Sequence, residues 1–69
     1  MSAGAVDHIV KILIADDHEL FRRTLRGFIE NTPNWRVSGE AGDGVEAIEK
    51  ARLLNPDVVL MDINMYCRV

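Results

Sequence analysis

The chain has 69 residues, 11 acidic and 8 basic side chains for a formal net charge of -3, 48% hydrophobic and 28% charged residues, and a single cysteine. Domains typically run to about 100–150 residues, so two domains are excluded and one small domain, or part of one, is all that fits. The apolar content is too high for a disordered tail, no Lys/Arg run offers a footprint for nucleic acid, and Cys67 has no partner for an intramolecular disulfide.

Residues 1–8 are small and polar and read as a flexible arm, leaving 9–69 as the folded part. The arm has neither the basic start nor the apolar core of a signal peptide, and no apolar stretch approaches the ~18 residues of a membrane span. No membrane contact and a cytoplasmic setting are the expectation, and the unpaired cysteine agrees with a reducing interior.

Residues 9–15 (IVKILIA) form a nearly unbroken β-branched run of strand length, the pattern of a central strand covered on both faces; this is β1. Asp16 and Asp17 follow at once, and Glu19 stands three residues after Asp16, so a capping box is expected to open helix α1 there. Leu20, Phe21, Leu25, Phe28 and Ile29 recur at helical spacing as its buried stripe, and Asn31-Thr32-Pro33 stops it.

Residues 35–41 (WRVSGEA) set Val37, Gly39 and Ala41 on one face and Arg36, Ser38 and Glu40 on the other, the alternation of a half-exposed edge strand, β2. Asp43 with Glu46 at N3 caps helix α2, whose stripe is Ala47, Ile48, Ala51 and Leu54 and whose end is Asn55-Pro56. Residues 58–61 (VVLM) are again uniformly apolar and form β3, ending in Asp62.

Strands alternating with helices imply parallel βαβ units with right-handed crossovers. Two interior-type strands and one edge-type strand suggest the spatial order 2-1-3, the opening of a flavodoxin-like doubly wound α/β sheet. In that order β1 and β3 direct their carboxyl ends to one crevice, so Asp16, Asp17 and Asp62 should meet there.

Three adjacent carboxylates repel one another and need neutralising. Mg²⁺ prefers oxygen ligands, takes one or two carboxylates and leaves positions for phosphate oxygens, so a metal-bound phosphoryl group is a natural guest. The plainer reading of Asp16 and Asp17 is helix capping alone. Gly42-x-Gly44-x-x-Ala47, after a strand and with an acid 20 residues beyond Gly42, formally matches a dinucleotide-binding fingerprint. Against that rival, Asp43 would point an anion at the pyrophosphate, and Asp16 and Asp17 would have no task. His18 has no second histidine or cysteine close by in the sequence and reads as an exposed first-turn residue rather than a ligand. Arg22, Arg23 and Arg26 read as a solvated helix face, with docking of an acidic partner as the alternative.

KILIADDHELFRRTLRGFIE followed by AGDGVEAIEKARLLNPDVVLMDINM resembles the first half of a two-component response-regulator receiver domain, over roughly residues 11–65. The DDHELFRR stretch is further similar to regulators that carry a C-terminal helix-turn-helix output domain. The resemblance implies that Asp62 accepts a phosphoryl group from a sensor histidine kinase, a phosphotransfer domain or a small phosphodonor. It also implies that Asp17, Asp62 and the main-chain carbonyl of Asn64 hold Mg²⁺ while Asp16 acts through a coordinated water. By type such a domain is a regulatory phosphoacceptor of transcription control and not an enzyme.

The sequence also departs from the family pattern. Only seven residues follow Asp62, whereas the family places a Ser or Thr after a fourth strand and a Lys after a fifth; Lys11 and Lys50 lie in the wrong places to substitute. Tyr66 stands where the pattern has Pro. The expectation is a partial receiver lacking the last two strands, with slow phosphorylation. A rival reading makes it an interaction module that binds the kinase without turning over phosphate. With β3 at the edge, self-association through that apolar strand is also expected, and a folded monomer by light scattering at high concentration would refute it.

Overall fold

The computed structural model describes residues 8–62. The elements run β1 (Val10–Ala15), α1 (Glu19–Glu30), β2 (Trp35–Ala41), α2 (Gly44–Leu54) and β3 (Val58–Met61). All pairings are parallel, and the sheet order is β2-β1-β3, as the strand chemistry implied.

Strand β1 is central because its side chains suit two covered faces. Ile12 and Ile14 pack with Ile29 of α1 and with Val10, Leu25 and Val37 around them, while Ala15 meets Ala41 and Ala47 on the α2 side. Leu13, Ile14 and Ile29 are the largest fully buried side chains. Such close packing of branched apolar groups on both faces removes the greatest apolar area from water per residue of strand.

Strand β2 does not alternate as its sequence suggests. Ile12 pairs with Val37 but Leu13 pairs with Gly39, so Ser38 is an extra residue in the ladder, and its hydroxyl donates to the Ile12 carbonyl at 3.2 Å. A β-bulge of this kind shifts the phase of the residues after it. Val37 consequently joins the α1 cluster, whereas Ala41 joins the α2 cluster and an added methyl at Gly39 would lie 2.7 Å from Leu54 Cδ1. The expected common face of Val37, Gly39 and Ala41 is therefore overturned: a period of two cannot reveal an inserted residue.

The stripe expected on α1 is also only partly buried. Ile29 is buried and Leu25 half-buried, but Leu20 and Phe28 are more than 70% exposed. The helix rests on the line 22-25-29, with Arg22 half-buried on it. On α2, Ala47 is buried while Ile48 is 48% exposed. Strand β3, uniformly apolar, lies at the sheet edge with all four residues exposed.

The helix ends follow local chemistry. Asp43 accepts from the Glu46 amide at 2.8 Å and Glu46 Oε1 accepts from the Gly42 amide at 2.8 Å, a reciprocal capping box at α2. Asn55 closes that helix in the left-handed region at φ 49°, which asparagine tolerates. At α1 the box expected from Asp16 and Glu19 does not form. His18 is the N-cap residue and makes no side-chain cap bond, because Asp16 Oδ1 accepts from the His18 amide at 2.8 Å instead.

Candidate functional site

The register of β1 with β3 builds the site. Ala15 is paired with Met61, and the Asp62 amide donates to the Ala15 carbonyl at 3.1 Å, so Asp62 lies beside Asp16. The Asp16 amide donates to the Ala41 carbonyl at 3.0 Å, tying the same point to β2. Residues distant in sequence thus converge at the carboxyl ends of parallel strands, where open α/β sheets leave a crevice.

Asp16, Asp17, His18 and Asp62 each offer a ligand atom, and these atoms lie within 4.8 Å of one another. Asp16 is buried at 2% exposure, Asp17 is exposed, and Asp62 is half-buried. A cleft of about 210 Å³ adjoins the cluster, lined by Asp16 and Asp62 and by Phe21, Leu25, Leu60 and Met61. A larger hollow of about 410 Å³ lies at the opposite end of the sheet, by Asn34 and Trp35, away from these carboxylates.

His18 Nδ1 lies 3.1 Å from Asp16 Oδ1 and 2.9 Å from Asp17 Oδ1. The hydrogen bond with Asp16 and then the charge of Asp17 raise the imidazole pKa above its usual value. The sequence, for want of a second histidine or cysteine close by, made His18 an exposed first-turn residue; its ring is exposed, and the structure adds that it lies against the acid pair.

Arg22 is a residue that the sequence undervalued. Its Nε lies 3.1 Å from Glu40 Oε1 and its Nη1 donates to the Asp16 main-chain carbonyl, so it braces the acidic turn against β2. Arg26 also binds Glu40. Burial would raise the Glu40 pKa, but the hydrogen bonds from Arg26 and Arg22 outweigh it and hold the carboxyl below the usual range. The solvated arginine face is thereby corrected for Arg22, whose head group has acceptors on the sheet side that a helix projection cannot display, while Arg26 remains exposed.

The glycine pattern does not form a phosphate cradle. The Gly42 amide is taken by Glu46 and the Glu46 amide by Asp43, so amides that would face a pyrophosphate are already bonded. Lys11 opens β1 at the far end from the carboxylates, where its amide donates to Asp57, and Lys50 Nζ lies 3.1 Å from Glu46. Asn64, Tyr66 and Cys67 lie outside the described residues, as does the arm over 1–7.

A parallel α/β sheet of order 2-1-3 with acids at the ends of its first and third strands defines the receiver class of signalling domain. The response regulator receiver domain model matches residues 12–67, and the chain belongs to that family. Protein-glutamate methylesterase/protein-glutamine glutaminase of Thermotoga maritima is 44% identical over 59 residues, covering 86% of this chain and 17% of that protein. Transcriptional regulatory protein LiaR of Bacillus subtilis is 46% identical over 57 residues, covering 83% and 27%. Among solved structures, the complex of the P1 domain of CheA3 with CheY6 from R. sphaeroides matches at a TM-score of 0.81 and 32% identity, covering 86% of this chain and 46% of that one. The chain therefore spans a minor part of these curated relatives, and it is their receiver part that it resembles. Phosphorelay signal transduction is the function this family membership supports, and the dinucleotide-binding and interaction-only readings are not favoured. Among the described residues no helix is long and apolar enough to cross a membrane.

Proposed function

We propose that this chain is a phosphoacceptor module in the cytoplasm, with Asp62 taking a phosphoryl group from a sensor histidine kinase or phosphotransfer domain. The observation that carries the proposal is the convergence of Asp16, Asp17 and Asp62 from two strands on one crevice. The likeness to a chain in the complex of the P1 domain of CheA3 with CheY6 supports that kind of partner.

The donor set fits a hard divalent cation such as Mg²⁺. Its bonds of about 2.0–2.1 Å place opposite ligands about 4.2 Å apart, close to the 4.8 Å span of the cluster. Asp17 and Asp62 would bind it directly and Asp16 through a water, with the Asn64 carbonyl as a further ligand from outside the described residues. The bound cation would supply relief of the repulsion between a carboxylate and an incoming phosphate.

In the transfer, one Asp62 carboxylate oxygen attacks phosphorus. The bond from phosphorus to the donor nitrogen, or to the acyl oxygen of a small phosphodonor, breaks, and its electron pair leaves with the donor.

The test is intact-mass spectrometry after incubation with acetyl phosphate and Mg²⁺. One phosphoryl adduct, absent from Asp62→Asn, is the expected result. A folded chain that binds the kinase yet gains no adduct over long incubation would refute acceptor chemistry and favour the pure interaction module.

A further inference from the structure

We propose that Arg22 is a positioning residue of the cation site: its guanidinium fixes the peptide between Asp16 and Asp17 and thereby sets the affinity for a divalent ion. This rests on the reading of the acids as a cation site, while the contact behind it lies outside the acid cluster, between a side chain of α1 and the main chain.

The two peptides at the end of β1 are held differently. In the peptide joining Ala15 to Asp16, the Ala15 carbonyl accepts from the Asp62 amide at 3.1 Å and the Asp16 amide donates to the Ala41 carbonyl at 3.0 Å. The sheet therefore fixes that peptide from both sides. The next peptide, joining Asp16 to Asp17, lies past the paired residues of β1, and its carbonyl accepts from Arg22 Nη1. Only φ and ψ are soft in a backbone, so rotation of this one peptide swings the Asp17 carboxylate relative to the buried Asp16. The guanidinium removes that freedom.

Arg22 can do so because it is itself held. Its amide donates to the His18 carbonyl at 3.0 Å, in the first turn of α1, and its Nε binds Glu40 Oε1 at 3.1 Å. Glu40 directly precedes Ala41, the residue that takes the Asp16 amide. A closed ring results, from the Asp16 amide to Ala41, from the Glu40 carboxylate to Arg22, and from Arg22 back to the Asp16 carbonyl. The side chains of Arg22 and Glu40 are only 19% and 24% exposed, which shields this pair better than an ordinary surface pair. A planar fork with separate donors suits two acceptors, whereas an ammonium lacks that geometry.

Charge and geometry predict opposite signs here. Arg22 is a cation near a site for cations, so if it acted through charge alone its removal would tighten Mg²⁺ binding. Removal of a positioning contact loosens it, and groups that orient ligands typically account for about 10–100-fold in metal affinity.

The test is Mg²⁺ titration of the ¹⁵N-labelled full chain, followed by NMR on resonances of the folded state so that any unfolded population drops out of the affinity. The Kd for Mg²⁺ should rise about tenfold or more in Arg22→Met and about threefold or more in Arg22→Lys, which keeps the charge. Glu40→Gln should weaken binding about threefold or more on its own but by less than about twofold when added to Arg22→Met, since Glu40 acts through Arg22. If Arg22→Met does not fold, Arg22→Lys and Glu40→Gln carry the test by themselves. Unchanged Mg²⁺ affinity in those two variants, or tighter binding by Arg22→Met, overturns the positioning role and leaves the cation site standing. A folded wild-type chain with no saturable response to Mg²⁺ overturns the cation site and this proposal together.

Discussion

Replacing Arg22 by methionine keeps the apolar stem and removes the guanidinium, which isolates the brace between α1, β2 and the acidic turn. Two bonds disappear: Nε to Glu40 Oε1 at 3.1 Å, and Nη1 to the main-chain carbonyl of Asp16. Hydrogen bonds to charged groups contribute about 1.5–3 kcal/mol each when well shielded. The side chain is 19% exposed and Glu40 retains Arg26, so both solvent screening and the surviving partner reduce the loss. A destabilisation of about 1–2 kcal/mol is expected. Urea unfolding followed by the fluorescence of Trp35, the single tryptophan, measures it directly. In a double-mutant cycle with Glu40→Gln the two changes should be coupled by about 0.5–1.5 kcal/mol. Arg22→Lys should recover only part of the loss, since an ammonium cannot span both acceptors in the planar geometry of the fork. A cost below about 0.5 kcal/mol, the range of ordinary surface changes, would show that the brace is not a structural link.

Asp43→Ala removes the acceptor for the Glu46 amide and should cost about 0.5–2 kcal/mol in the same unfolding assay, whereas Glu19→Ala, at a helix start with no box, should cost markedly less. Glu40 predicts the acid limb of the stability profile. Its folded pKa is depressed by Arg26 and Arg22 despite burial, so the folded state favours the ionised form. That contribution is complete above the unfolded value of about 4.3 and is lost as pH falls through the folded value. Urea midpoints taken from about pH 6 to about pH 3 should therefore fall more steeply for the wild-type chain than for Glu40→Gln, and parallel slopes would refute the assignment.

Strand β1, both helices, the α2 capping box and the order of elements were legible because each depends on neighbours within a few residues. Ile12 to Ala15 read as doubly covered and are. Asp43 and Glu46 read as a reciprocal cap and are. The misreadings share one cause, which is that a periodic projection assumes an unbroken lattice and a single packing partner. Ser38 breaks the lattice of β2. Leu20 and Phe28 satisfy the helical period of α1 but face outward, since the helix touches the sheet along Leu25 and Ile29.

What the amino-acid order determined by itself was the local menu: where chain is extended or helical, which residues stop each element, and that acids follow two of the strands. Strand chemistry also implied the order 2-1-3 and so the meeting of Asp16, Asp17 and Asp62, but only the assembled sheet decided the register that pairs Ala15 with Met61 and sets Asp62 beside Asp16, a contact between segments more than forty residues apart. The same assembly chose Glu40 as the counter-charge for Arg22 and turned the His18 ring onto the two aspartates. Side-chain partners across elements depend on register and on the angle at which a helix crosses a sheet, and neither is written in any one stretch of the chain.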